Sequence, residues 1–225
     1  MVQWDKKKSR GSIMERKIAF FDVDNTLVYN DSLFALYGYG CRKWKRYIFV
    51  APAIGVVSLM YFLKILPKER MKELFYTPLN SFDEKDYEEF FEKYLFGRRI
   101  EKTFQELLRL KNEGYYILLA TASPYAYMRL WKEKGYADEV IGTELLQKGG
   151  KYTFKVTGRN CSKEEKKRRI EAFLASEGIE IDYESSVGFS DSDKDIPMLS
   201  LCKTRTRVLK DGSHISFVPK KENVK

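Results

Sequence analysis

Residues 18–28 read IAFFDVDNTLV, an apolar run that stops at Asp22 and is followed by a second acid at Asp24. A short run that is apolar throughout predicts a strand buried on both faces, as in a parallel sheet. Two acids at its end favour a functional site, and the alternative is that they cap a turn. If the strand geometry continues, both side chains reach the same space, because residues two apart on a strand share a face.

Two later apolar runs end in the same way. Residues 115–120 lead to Thr121 and Ser123, and the run within ESSVGFSDSDKD leads to Asp191 and Asp195. Helical patterns separate the three runs, which predicts an α/β fold: a Rossmann-like, doubly wound, mostly parallel sheet. In such sheets the strands' carboxyl ends face one crevice, so we expect these polar residues to meet there.

The chain divides into a core and an insertion. Residues 31–105 have helical patterns punctuated by prolines and are predicted to form a helical cap between the first two strands. Residues 15–30 and 106–225 then form the catalytic core, and residues 1–14 a disordered arm. Asp31 and Ser32 should begin the cap, as a helix cap or on the substrate side.

Local patterns within the core predict four further features. The Gly149-Gly150 pair indicates a hairpin. A helix is expected near residues 125–134, and another should open with a capping box of Ser162 and Glu165 and end at Gly178. Two short strands should close the chain.

Composition narrows the chemistry. The chain has 41 basic and 32 acidic residues, a net charge of +9, so its surface should attract anions such as nucleic acid, anionic lipid or phosphorylated small molecules. Its single histidine, His214, excludes a histidine pair for zinc and a histidine-based triad. Three cysteines without CxxC spacing and a polar N-terminus without a signal-peptide pattern favour a reducing, cytoplasmic location.

Residues 47–63 form an uncharged stretch of 17 residues, YIFVAPAIGVVSLMYFL. It is shorter than the roughly 20 apolar residues of a typical spanning helix, and Pro52 and Gly55 interrupt it. Basic residues flank both ends. A buried helix, an interfacial helix with peripheral contact to an anionic membrane, and a true span all remain open.

The acid pairs do not form calcium loops, since the sixth and twelfth positions counted from Asp191 are Ile196 and Cys202. The ordered set DVDNTL, TAS, a lysine within EEKKRRI, and DSDKD instead resembles the haloacid dehalogenase (HAD) superfamily over about residues 17–210. The flanking NCSKEEKKRRI and FSDSDKDIPML are similar to its subgroup of phosphoserine phosphatases and phosphatidylglycerophosphate-type lipid phosphatases.

The resemblance implies an active site and its metal. Asp22 would be the nucleophile that forms an aspartyl-phosphate, and Asp24 the general acid and base. Lys166, with Lys167 as the alternative, would neutralise phosphoryl charge. Thr121, Ser123 and Asn25 would bind phosphate. Mg²⁺ would be held by the four positions that the resemblance supplies, Asp22, the backbone carbonyl of Asp24, Asp191 and Asp195.

The resemblance therefore implies a Mg²⁺-dependent phosphatase acting on a small phosphorylated metabolite or a phospholipid head-group phosphate. Phosphoserine phosphatases usually carry a Glu soon after the first motif and glycines after the second, whereas this chain has LVYNDSLF and Ala122-Ser123-Pro124. A phosphoserine phosphatase and a non-catalytic membrane-associated protein on the same scaffold are the alternatives. Nucleic acid is not an expected partner, because no binding motif accompanies the basic residues.

Overall fold

A six-stranded sheet forms the centre of the computed structural model, which describes residues 14–218. The strands are β2 (Ile18–Phe21), β3 (Tyr116–Pro124), β4 (Glu139–Thr143), β8 (Val187–Ser190), β9 (Thr204–Val208) and β10 (His214–Ser216). Their order across the sheet is β10-β9-β8-β2-β3-β4, parallel except for β10 at one edge. The predicted α/β class with a mostly parallel sheet is confirmed.

The central strand β2 is buried on both faces, as its apolar sequence predicts. Ala19 and Phe21 join one hydrophobic cluster, and Ile18 and Phe20 join the other. Helices cover both faces of the sheet, which is the doubly wound arrangement. Those helices are α5 (Glu101–Asn112), α6 (Tyr125–Met128), α7 (Leu130–Glu133), α8 (Glu164–Glu177) and α9 (Ile196–Leu199).

Between β2 and α5 lies a run of helices, residues 32–98, called here the helical insert. It comprises α1 (Ser32–Lys43), a 3₁₀ turn (Lys45–Val50), α2 (Ala51–Phe62), α3 (Lys68–Phe75), a 3₁₀ turn (Thr77–Ser81), α4 (Glu84–Phe90) and short π and 3₁₀ segments (Phe91–Leu95, Phe96–Arg98). Asp31 caps α1 by accepting a hydrogen bond from the Leu33 backbone N–H at 2.8 Å, as one of the two predicted readings requires. The insert has an aromatic interior around Tyr39, Phe82 and Phe90.

The hairpin at Gly149-Gly150 consists of β5 (Leu145–Lys148) and β6 (Lys151–Val156). Both glycines have positive φ, 57° and 77°, which is why this turn favours glycine. The hairpin packs on the insert, where Glu73 of α3 accepts hydrogen bonds from the Val156 backbone and the Lys155 ammonium. The hairpin was predicted, and its contact with the insert was not.

Three local predictions need correction. The strand predicted over residues 115–120 continues to Pro124, and the helix predicted near 125–134 is divided into α6 and α7. Ser162 does not cap α8, which begins at Glu164 after Lys163 and has no side-chain cap; Glu165 instead pairs with Arg168 and Arg169. Gly178 ends α8 in the left-handed conformation, as predicted.

A two-stranded parallel sheet outside the main sheet was not predicted. It pairs β1 (Met14–Arg16) with β7 (Ile179–Ile181). Of the predicted disordered arm, residues 1–13 lie outside the described residues, and Met14 begins β1.

Candidate active site

Two adjacent strands, β2 and β8, bring the predicted acids to the same end of the sheet. Asp22 follows β2, and its backbone N–H donates to Phe189 of β8 at 3.0 Å. Asp191 follows β8, and its backbone N–H donates to the buried hydroxyl of Thr26 at 3.0 Å. One carboxylate oxygen from each of Asp22, Asp191 and Asp195 lies within 4.8 Å of the others. The strand ends therefore converge as the sequence predicts.

Lys166 joins this cluster from α8. Its ammonium lies 2.8 Å from Asp22 Oδ1 and 2.5 Å from Asp195 Oδ1, and its side chain is 2% exposed. Lys167, the alternative, points elsewhere and donates to Ser200 Oγ at 3.1 Å. The geometry brings Lys166, and not Lys167, to the predicted nucleophile.

Ser190 orients Asp195, the last acid of the cluster. Its hydroxyl donates to Asp195 Oδ2 at 2.7 Å, while Oδ1 of the same carboxylate faces Lys166. In this chain the serine supplies a further buried hydrogen bond that orients Asp195.

The acids carry more negative charge than Lys166 alone offsets. Burial raises the pKa of Asp22 despite the attraction of Lys166. Burial and the neighbouring charge of Asp195 raise the pKa of Asp191 to about 6. Although burial alone would favour the neutral amine, the two carboxylates raise the pKa of Lys166, which keeps this lysine charged.

This donor set fits a hard divalent cation. Mg²⁺ prefers carboxylate and carbonyl oxygens and usually keeps several waters, and Asp22, Asp191 and Asp195 offer three converging carboxylates at the edge of a cavity. A dication would also relieve the repulsion that raises the pKa of Asp191. The residues present therefore match the predicted Mg²⁺ site.

Asp24 has a separate environment on the side of the insert. Its Oδ1 accepts from the Ser32 backbone N–H at 2.8 Å, and its Oδ2 accepts from Ser123 Oγ at 2.5 Å. Ser123 Oγ lies 2.9 Å from Ser32 Oγ, which in turn lies 3.0 Å from the Tyr127 hydroxyl. Burial, with the charge of Asp31 adding to it, raises the pKa of Asp24.

A cavity of about 370 Å³ opens above these groups. Its floor includes Asp22, Asp24, Lys166, Asp191 and Asp195, all from the core. Its opposite wall comes from the insert. The residues of that wall are Leu33, Phe34, Ser58, Tyr61, Phe62, Lys68, Met71, Lys72 and Phe75.

The model of the haloacid dehalogenase-like hydrolases matches residues 19–200. The chain belongs to this family. The match covers the strands and helices that supply every acid of the cluster and Lys166. The predicted membership of the HAD superfamily is therefore confirmed, while the reaction and the roles of individual residues stay predictions.

Among curated HAD relatives, phosphoserine phosphatase SerB1 of Mycobacterium tuberculosis is 26% identical over 208 residues. The alignment covers 86% of this chain and 65% of the relative, so the chain spans less than two thirds of that protein's length.

Solved structures share the HAD fold at lower identity. A Bordetella pertussis protein of unknown function has a TM-score of 0.73 at 20% identity, covering 85% of this chain and 89% of that chain. A substrate-bound phosphoserine phosphatase complex has a TM-score of 0.58 at 20% identity, covering 84% of each chain. At these identities the likeness supports the fold alone.

The three residues predicted to bind phosphate in the HAD site have different positions. Thr121 is fully buried beneath the cavity floor, where its hydroxyl accepts from the Ser123 backbone N–H at 3.0 Å and lies 3.5 Å from Asp24 Oδ2. Ser123 lines the cavity with its hydroxyl on Asp24. Asn25 is exposed at the cavity edge with a φ of 59°. The geometry favours Thr121 and Ser123 as residues that position Asp24.

Lys72 was missed in the sequence. Its ammonium, 6% exposed as a residue, donates to the Ala122 carbonyl and to Asn160 Oδ1, each at 2.9 Å. Both acceptors, a backbone carbonyl and a side-chain amide oxygen, are uncharged. Burial, with the nearby charge of Lys68, lowers the pKa of Lys72 to about 8. A lysine four residues after another on a helix is a weak signal, because it usually marks a solvated face.

Proposed function

We propose that the protein is a Mg²⁺-dependent phosphomonoesterase that forms an aspartyl-phosphate on Asp22. The observation that carries this proposal is the buried Lys166 ammonium between Asp22 and Asp195, beside Asp191. A lysine and three acids at the floor of a cavity suit phosphoryl transfer, which needs positioning and charge neutralisation more than covalent help from other side chains.

In the first step, an Asp22 carboxylate oxygen attacks the phosphorus and the ester P–O bond breaks. The leaving oxygen takes a proton from Asp24, whose raised pKa favours the protonated form. Lys166 holds Asp22 through Oδ1 and so leaves the other carboxylate oxygen to react.

In the second step, Asp24 accepts a proton from a water molecule, whose oxygen attacks the phosphorus of the aspartyl-phosphate. The bond between phosphorus and Asp22 breaks, which restores the carboxylate and releases inorganic phosphate. When bound by Asp22, Asp191 and Asp195, with the backbone carbonyl of Asp24, Mg²⁺ would offset the negative charge of the phosphoryl group.

We propose a small phosphorylated metabolite or a phospholipid head-group phosphate as the substrate. Phosphoserine is the second candidate, because a curated relative and a similar solved structure are phosphoserine phosphatases. The absence of the Glu and glycines typical of those enzymes in LVYNDSLF and Ala122-Ser123-Pro124 weighs against it. Phosphate release across phosphoserine, sugar phosphates, nucleotides and phosphatidylglycerophosphate would separate the candidates.

The activity itself is tested with p-nitrophenyl phosphate. We expect Asp22→Asn to reduce phosphate release by at least about 10³-fold, because it removes the nucleophile. Asp211→Asn, in an exposed turn, is the matched control and should keep the wild-type rate. EDTA should abolish activity and Mg²⁺ restore it.

Full activity of Asp22→Asn would refute the nucleophile, and indifference to EDTA would refute the metal site. A wild-type protein that releases phosphate from no substrate in the panel would instead support the non-catalytic alternative.

A further inference from the structure

The helix α2 exposes apolar side chains to an unusual extent. Together with the 3₁₀ turn before it and the loop after it, it presents Phe49 at 85% exposure, Phe62 at 78% and Leu59 at 59%. The same surface, called here the α2 face, also includes Ile48, Val56, Leu63 and Ile65, all more than half exposed. A helix that is apolar on all sides normally lies within a protein core or in lipid.

The α2 face is attached to the insert along its inner side. Tyr47 and Ile54 are buried there, and the Tyr37 hydroxyl donates to the Tyr47 carbonyl at 2.6 Å. The segment Lys45–Phe62 is long and apolar enough to cross a membrane by length and composition, and 6% of it is buried. The α-helix itself has 12 residues, about 18 Å, against a hydrocarbon core of about 30 Å. The short helix and its buried residues Tyr47 and Ile54 favour a helix that lies along a surface over one that crosses a membrane.

Basic side chains border the α2 face. Lys45 and Arg46 precede it and Lys64 lies between Leu63 and Ile65 at its end, all three exposed. Residues 40–72 contain eight basic residues and one acid, Glu69. Exposed apolar side chains with lysine and arginine at the edges match the acyl and head-group layers of an anionic bilayer. Two copies of this chain meeting through their α2 faces would place these like charges together, which disfavours a dimer here.

The α2 face continues into the cavity. Ser58, Tyr61 and Phe62 of α2 line its wall, opposite the acids of the floor. A molecule whose phosphate reaches Asp22 would therefore place the rest of its structure beside the apolar side chains of α2 and Phe34. This arrangement suits a molecule with a phosphate at one end and hydrocarbon at the other.

We infer that the α2 face binds the surface of an anionic bilayer and that the substrate is a phosphate monoester carried by a lipid in that surface. Hydrolysis breaks its P–O ester bond, adds water, and leaves the alcohol in the membrane while phosphate departs. The substrate half of this inference rests on the proposed function, and the binding half does not.

The test compares two double variants. Phe49→Gln with Leu59→Gln alters the α2 face without changing the catalytic acids or Lys166. Leu146→Gln with Ile215→Gln changes exposed apolar residues elsewhere and is the matched control. Binding is measured by flotation with vesicles of phosphatidylcholine containing 30 mol% (about one lipid in three) phosphatidylglycerol, and with phosphatidylcholine alone. Activity is measured on soluble p-nitrophenyl phosphate and on phosphatidate in the same vesicles.

We expect wild type and control to bind the anionic vesicles, and the α2-face variant to lose at least about tenfold in binding and in phosphatidate hydrolysis. All three should hydrolyse p-nitrophenyl phosphate at one rate. Equal vesicle binding by the two double variants would overturn the inference, as would carbonate-resistant insertion or a concentration-dependent dimer that the α2-face variant abolishes. If neither the wild type nor the variants release phosphate, but vesicle binding is lost only in the α2-face variant, the proposed function is refuted and membrane binding by the α2 face is supported.

Discussion

The carboxyl ends of β2 and β8 lead to Asp22, Asp191 and Asp195 and are called here the acid edge. The acid edge and the α2 face differ in how their side chains are partnered. At the acid edge, charges are buried and held by specific partners, as Lys166 is between Asp22 and Asp195. On the α2 face, apolar side chains such as Phe49 are exposed and have no comparable partners in the described chain. We propose that the first region carries out the reaction and that the second sets where the protein binds. The difference suggests a division of labour in which the residues of the core act on the phosphate and the insert above them selects the rest of the substrate.

Apart from the loss of the nucleophile itself, the largest effect should come from removing the buried cation of the acid edge. We expect Lys166→Met to lower kcat by about 10²–10³-fold, because a preorganised donor to phosphoryl charge is lost. Lys167→Met is the matched control from the next position on α8 and should be nearly neutral, since its ammonium contacts Ser200. Steady-state kinetics with p-nitrophenyl phosphate and saturating Mg²⁺ measure both.

A stability measurement distinguishes this electrostatic role from simple packing. Without Lys166, the buried carboxylates of Asp22 and Asp195 lose their cation, and breaking such a pair typically costs about 3–5 kcal/mol. We expect Mg²⁺ to recover part of the lost free energy of unfolding in Lys166→Met. The assignment fails if the two variants lose activity equally, or if Mg²⁺ stabilises neither.

Lys72 lines the cavity that both regions border, and the effect of its removal should be smaller. It reaches from α3 to the Ala122 carbonyl next to Ser123, and we expect its charge to attract the anionic substrate. Lys72→Met should therefore raise KM about tenfold, equivalent to about 1.4 kcal/mol. The exposed Lys85→Met, also in the insert, is the control.

The pKa of Lys72 predicts the direction in which kcat/KM changes with pH. With a pKa of about 8, the side chain is charged below that pH and neutral above it. The wild-type kcat/KM should therefore fall as pH rises above about 8, and the Lys72→Met profile should lack that limb. A bound anion stabilises the charged form, so the limb should move to higher pH in the kcat profile. An unchanged pH profile in Lys72→Met would exclude this role.

The sequence predicts the acid edge well because the residue that follows each parallel strand in the sequence also lies at the same end of the sheet. Each parallel strand ends at the same edge, so an apolar run followed by Asp22 or Asp191 locates a side chain without knowledge of the rest. Lys72 and Ser190 could not be predicted in this way. The role of Lys72 depends on contacts between segments far apart in sequence, such as that with Asn160. The role of Ser190 depends on the turn that brings Asp195 back to its hydroxyl, which an apolar run ending in an acid does not indicate.

A comparison of two stabilities tests the same limit of sequence-based prediction inside the insert, where two glycines of SLFALYGYG look equivalent in sequence. A Cβ at Gly40 would overlap Cβ and Cγ of Pro78, while a Cβ at Gly38 would meet only Arg42 Nη2 at 3.7 Å. We expect Gly40→Ala to lower the free energy of unfolding by about 1–3 kcal/mol through overpacking. Gly38→Ala should raise it by about 0.5–1 kcal/mol, because alanine is the better helix former. Urea unfolding of the two variants measures the difference. Opposite signs follow from the packing of α1 on the turn at Pro78, whereas equal gains would mean that α1 does not approach that turn closely.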